Sequence, residues 1–256
     1  MTKIDLPIQK EEKDNTSPLK PDFKWVGKMI IILISIGFIL YISIVLFSNF
    51  FIKNISIEKE REIFGGFFLD GNEKIFDKSI LGENLGELEN YEIYISNDEI
   101  PNAYASLGAN IFITKGLLKQ AKSKEEILFI LGHEMSHIKN RDVIKGFTKS
   151  MPLTMFLDFL GINFGDWGMD SGVLISNYFS REAERQADKG GIEFVNSLGL
   201  NGKCATVFFE ELKSNTSKYT EFTKSHPIDQ ERIDFITKNS KHKEKKCNDF
   251  KYEEKN

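Results

Sequence analysis

The stretch EEILFILGHEMSHIKN, Glu125 to Asn140, decides how the rest of the chain is to be read. Its apolar positions recur at helical spacing, and Ser123 with Glu126 three residues on is a capping box, so a helix is predicted from Lys124 to Asn140. On that helix His133 and His137 share a face, one turn apart, while Ile127, Ile130 and Leu131 turn to the core. The whole chain has four His, which makes a pair at this spacing informative. Two imidazoles so placed suit a zinc ion with three protein ligands and one open position, and Glu134, beside the first His, is set to be the general base and not a ligand. A chance match on an ordinary amphipathic helix is the alternative. A third ligand on another helix would decide between them.

SREAERQAD, Ser180 to Asp188, supplies a candidate. Glu184 and Asp188 lie four apart on one helical face, Glu184 as the third ligand and Asp188 as the acceptor that orients a ligating His. Ala183, Ala187 and Gly190 on the same helix indicate close packing against a neighbour, whereas Glu182 reads as solvated.

Outward from these two helices, Tyr91 to Ile95 alternates as a half-buried strand. Ala103–Ser106 and Ile111–Thr114 flank Leu107-Gly108-Ala109-Asn110 as a small hairpin. Helices are expected at Lys115 to Ala121, near Val143 to Leu160, from about Gly172 to Leu198 with Gly199 as its stop, and twice more towards the C-terminus. The expected fold is α+β, a mainly helical body with a small antiparallel sheet, preceded by one transmembrane helix. The expected organisation is a flexible tail (1–28), a transmembrane helix (29–52), a connector (53–90), a folded domain with the zinc-binding helix (91–240) and a C-terminal tail (241–256).

The transmembrane helix rests on Met29 to Ile52, which holds no charged residue and matches the roughly 20 apolar residues that cross a hydrocarbon core. It begins late and runs long for a signal peptide, and no small-residue cleavage site follows it. Lys10, Lys13, Lys20, Lys24 and Lys28 precede it, against Lys53, Lys59 and Arg61 after it, which favours a cytoplasmic N-terminus and an extracytoplasmic domain, periplasmic in a Gram-negative cell. Residues 147–179 are also rich in apolar side chains, but Asp158, Asp166 and Asp170 break them into pieces too short to cross, so they read as a lid-like segment near the site.

A net charge of −4 offers no electrostatic footprint for nucleic acid. Two cysteines, Cys204 and Cys247, exclude a cysteine-based zinc site. On the far side of a membrane they have the opportunity to pair and fasten the Lys-rich tail; in the cytoplasm they stay apart, Cys204 as a small buried hydrophobe.

Four blocks in order, PNAYASLGANIFITKGLL, EEILFILGHEMSHIKNRD, YFSREAERQAD and SHPIDQERI, span Pro101 to Ile233. In them the chain resembles the membrane-associated zinc endopeptidases, the family of the CAAX prenyl proteases, the heat-shock protease HtpX, the mitochondrial Oma-type proteases and the bacterial protease-chaperone BepA. The resemblance implies a zincin-type fold for residues 91–240 as a metallopeptidase domain, and one zinc held by His133, His137 and Glu184, with Asp188 supporting the first His. It further implies a substrate backbone lying along the strand at Asn102, Ala103 and Tyr104, and His226 of the H-P-x-x-x-x-R block facing the metal and steadying the oxyanion. The prenyl proteases and HtpX have several membrane spans, so neither prenylated substrates nor an intramembrane chamber follows. The expected partners are protein or peptide substrates and, through one span, the lipid bilayer. The expected activity is hydrolysis of peptide bonds in unfolded or exposed segments, as in envelope quality control. The alternative is a zinc-binding chaperone-like or scaffold protein without turnover.

Overall fold

The computed structural model of the chain describes residues 23–66, 69, 71, 73–146, 179–214 and 220–253. The lid-like segment, most of the helix expected near 143–160 and most of the N-terminal tail lie outside these residues. Helix α1 (Phe23–Asn54) includes, within Phe23–Phe47, an 18-residue window of mean hydropathy 3.0, long and apolar enough to cross a membrane. Helix α2 (Ile57–Phe64) follows, capped by the Ser56 hydroxyl, which accepts the N–H of Lys59.

The sheet has four strands, β1 (Lys74–Ile75), β2 (Ile93–Ser96), β3 (Ala103–Ala105) and β4 (Ile111–Thr114), in the order β1-β2-β4-β3. The β3–β4 hairpin is antiparallel, as expected, and so is β1 with β2. The sheet is nevertheless mixed, not purely antiparallel, because β2 and β4 run parallel, Ile93 opposite Ile111 and Ile95 opposite Ile113. All four residues of β4 are buried, so it takes the interior position and pushes β3 to the edge. Phe76, Leu81, Leu85 and Leu88, in the stretch read as a connector, are buried in the same core as the sheet.

Helices α3 (Lys115–Gln120) and α4 (Lys124–Lys139) leave β4 directly. Ser123 caps α4 by accepting the N–H of Glu126, but the Glu126 carboxylate reaches back to the N–H of Lys122, one residue short of a reciprocal capping box. Helix α5 (Arg181–Ser197) crosses α4, and Gly199 beyond it has φ +68°. Helices α6 (Thr206–Ser214), α7 (Thr220–Ser225) and α8 (Gln230–Asn239) complete the body.

The C-terminal tail is docked. Cys204 and Cys247 form a disulfide. Asn248 donates its N–H and Nδ2 to the buried carboxylate of Glu125, its carbonyl accepts the Lys124 N–H in the first turn of α4, and Phe250 is buried. A chain-entropy account of a loop closed between residues 43 apart gives the crosslink about 4 kcal/mol.

Candidate metal centre

Helices α4 and α5 approach closely because their contact is lined by small residues. A Cβ built on Gly191 would come within 2.9 Å of the Phe129 carbonyl oxygen, and one on Gly190 within 2.8 Å of Ser136 Cβ. That approach lets a carboxylate on α5 reach two imidazoles on α4. Helix α4 is buried on nearly all sides, so its polar residues must find partners within the protein.

Four buried groups converge: His133, His137, Glu184 and His226, whose ligand atoms all lie within 4.8 Å of one another. His133 Nε2 is 3.1 Å from His137 Nε2 and 3.2 Å from His226 Nδ1. The Glu184 oxygens lie 3.5 Å from His133 Nε2, 3.4 Å from His137 Nε2 and 3.1 Å from His226 Nδ1. Bonds of about 2.0–2.1 Å from zinc to nitrogen and oxygen imply donors about 3.3 Å apart at the corners of a tetrahedron. The residues therefore fit a small divalent cation, with His226 Nδ1 at the fourth corner.

The outward nitrogens of both α4 imidazoles are tied to acids. His133 Nδ1 meets Asp188 Oδ1 at 3.1 Å, and His137 Nδ1 meets Asp142 Oδ2 at 3.0 Å, which turns both Nε2 atoms inward. Asp188 is itself clamped by Arg232, Nε to Oδ2 and Nη2 to Oδ1 both at 2.7 Å, and Arg232 Nη1 lies 2.9 Å from Glu184 Oε2.

Charge in this cluster follows from burial set against partners. Burial alone would raise the Glu184 carboxyl; His226, His137 and His133 outweigh it and hold the group well below the usual carboxylate range. Burial likewise opposes ionisation of Asp188, and Arg232 with His133 reverses it, leaving the group below its ordinary value. Burial pushes His133 down, whereas His137, despite burial, is raised to about 9 by Asp142 and Glu184. A cation held by such a cluster requires the inward imidazole nitrogens without their protons.

The sequence profile of peptidase family M48 matches residues 73–240, well over half of the chain. The chain belongs to peptidase family M48. Among its relatives, the mitochondrial metalloendopeptidase OMA1 of Schizosaccharomyces pombe is 22% identical over 169 residues, 62% of this chain and 49% of the relative. The OMA1 of Arabidopsis thaliana is 25% identical over 181 residues, 68% of this chain and 36% of the relative. The beta-barrel assembly-enhancing protease of Escherichia coli K12 is 26% identical over 156 residues, 54% of this chain and 32% of the relative. The match thus spans from 32% to 49% of the length of these curated relatives.

In this M48 chain Glu134 stands beside the cluster without joining it. Its Oε2 accepts the N–H of Ala105 at 2.9 Å, while Oε1 is buried without a hydrogen-bond partner among the described residues. His226 Nε2 likewise has none among them and lies 3.5 Å from that oxygen. Two unmatched buried polar atoms thus face each other beside the cluster. The ring of Phe179 stacks on His137 with centroids 3.9 Å apart.

Of the three residues expected along the substrate strand, the geometry separates two from the third. Asn102, Tyr104 and Ser106 are in register with Thr114, Phe112 and Asn110, and the terminal pairs are seen to hydrogen-bond to β4. Alternation then turns the backbone groups of Ala103 and Ala105 away from β4, where the Ala103 N–H donates to Asn102 Oδ1 and the Ala105 N–H to Glu134. Tyr104 instead stacks its ring on Phe112 at 5.1 Å. Ala105, Asp142 and the contacts of Arg232 were missed in the sequence. Asp142 directly follows the Arg in HEMSHIKNRD, and that position five residues past His137 was the available signal.

Proposed function

We propose that this chain is a membrane-anchored zinc endopeptidase, with His133, His137 and Glu184 as the zinc ligands and Glu134 as the base. The observation that carries this reading is four buried donors at tetrahedral spacing, with an unpartnered Glu134 oxygen beside them. Zinc at such a site supplies Lewis acidity towards a peptide carbonyl and makes water a better nucleophile near neutral pH. Glu134 Oε1 takes the proton of the attacking water and delivers it to the leaving amine as the C–N bond breaks. Asp188 and Asp142 hold the two imidazoles in the tautomer that presents Nε2 inward, while Arg232 keeps Asp188 ionised and pairs with Glu184.

A substrate strand adds to the outer edge of β3, pairing with the backbone of Ala103 once its N–H is released from the Asn102 side chain, while the Ala105 N–H stays on Glu134 Oε2. Recognition through backbone groups favours unfolded or exposed segments over a particular sequence. Hydrolysis needs the corner that His226 Nδ1 fills in this arrangement; swung from it, the ring is placed to donate to the developing oxyanion. His226→Ala is accordingly expected to keep close to one zinc per chain, because three protein ligands suffice for a catalytic site. Zinc loss as complete as that from removing His133 would instead make His226 an obligate ligand.

The Cys204–Cys247 pair supports a domain on the oxidising side of the membrane, in line with the Lys excess before the apolar span. Together with a relative named for enhancing β-barrel assembly, this favours protein quality control in the cell envelope. Thiol labelling of the protein taken from its native membrane is expected to find no reactive cysteine before reduction and two after it. Two thiols without reduction would reject this orientation. Metal analysis of the purified full chain tests the zinc reading against that of a scaffold, for which no stoichiometric zinc is expected.

A further inference from the structure

The sequence of α2, IEKEREIF, looks solvated, yet Glu60 within it is 3% exposed. Its Oε1 accepts the N–H of Gly108 at 3.2 Å, in the turn of the β3–β4 hairpin, and its Oε2 accepts Nη1 of Arg141. The end of α2 sits hard against the same turn: a Cβ on Gly108 would come within 2.5 Å of Gly65 Cα, and Asn110 Nδ2 donates to the Gly65 carbonyl at 2.6 Å.

Both partners of Glu60 lead to the metal centre. Arg141 has φ +63°, a left-handed conformation disfavoured for a residue with a Cβ. That reversal just past α4 brings Asp142 back onto His137 Nδ1. Nε and Nη2 of Arg141 are buried with no hydrogen-bond partner among the described residues, so Glu60 is what balances the guanidinium. On the other side, the hairpin turned by Gly108 carries Ala105, whose N–H is held by Glu134. One carboxylate therefore joins the loop that orients a candidate metal ligand to the hairpin that contacts the candidate base.

We propose that Glu60 is a positioning residue for the metal centre, fixing Asp142 on His137 through Arg141 and the β3 edge against Glu134 through Gly108. The proposal rests on the zinc reading given above. It makes the short helix that follows the apolar segment a working part of the site and not a spacer.

The test uses the full chain in detergent and reads the zinc dissociation constant by chelator competition, with Tm and the casein kcat and KM alongside. Residues that orient metal ligands change affinity 10- to 100-fold, and Glu60, acting one step further out, is expected near the lower end: Glu60→Gln should weaken zinc about tenfold and lower kcat more than it raises KM. Arg141→Lys, which keeps a cation for Glu60 with fewer donors, should fall between wild type and Glu60→Gln. Ile57→Ala, which loosens α2 without touching the polar bridge, should lower Tm and leave zinc affinity within about twofold of wild type. If Glu60→Gln fails to fold, Arg141→Lys decides alone. Zinc affinity within about twofold of wild type in both polar variants, or an equal loss in Ile57→Ala, would overturn the proposal while leaving the zinc reading intact. A wild-type chain without zinc would overturn both.

Discussion

Glu134→Gln is expected to keep one zinc per chain while casein hydrolysis falls by roughly 10³-fold, within the range attributed to general acid–base catalysis. The amide keeps the size of the carboxylate and its carbonyl oxygen still accepts the N–H of Ala105, so the β3 edge stays in place. The change removes only the basicity of Oε1, the atom that is buried and unpartnered beside the candidate ligands. None of the three proposed ligands is altered. Metal content and casein turnover measured on one preparation check this, and hydrolysis surviving in a zinc-loaded variant would contradict the assignment of the base.

Glu184→Ala should separate sharply from Glu182→Ala. Glu184 is buried and within 3.5 Å of three imidazoles, and Arg232 also leans on it, whereas Glu182 is exposed and accepts from Gln186 one turn away. Removing the former deletes the proposed third ligand and leaves a buried guanidinium short of a partner. Its zinc affinity is expected to fall by more than about 100-fold, beyond what an outer residue contributes, with a lower Tm. Glu182→Ala should bind zinc as the unaltered chain does. Equal zinc contents in the two variants would reject Glu184 as the third ligand.

Much of the site could be read from sequence because two of its pieces are local. His133, Glu134 and His137 are set by one helical turn, and Glu184 with Asp188 by another, so spacing alone put each group on one face. The glycines and alanines of α5 signalled the close contact that joins the two faces. What escaped depends on pairings between distant segments. Two residues, Lys74 and Ile75, form β1 only because β2 offers an edge, and no alternation in so short a run announces it. The parallel meeting of β2 and β4 follows from which strand is buried on both faces, a property of the assembled sheet.

Burial of lone charges was hidden for the same reason. Glu60 lies among charged neighbours and is indistinguishable from them until Arg141 and Gly108 arrive from 81 and 48 residues away. The C-terminal tail looked too polar to dock, yet it holds by supplying Asn248 to Glu125, a need that the sequence of α4 does not display. The role of Arg232 likewise became visible only with Asp188 and Glu184 beside it.

Casein hydrolysis by the purified full chain, measured before chelation, after it and after zinc is returned, tests the central claim most directly. The expected result is cleavage that stops with the chelator and recovers with zinc. Cleavage indifferent to the chelator, or none from a chain carrying one zinc, would contradict a zinc endopeptidase built on His133, His137 and Glu184.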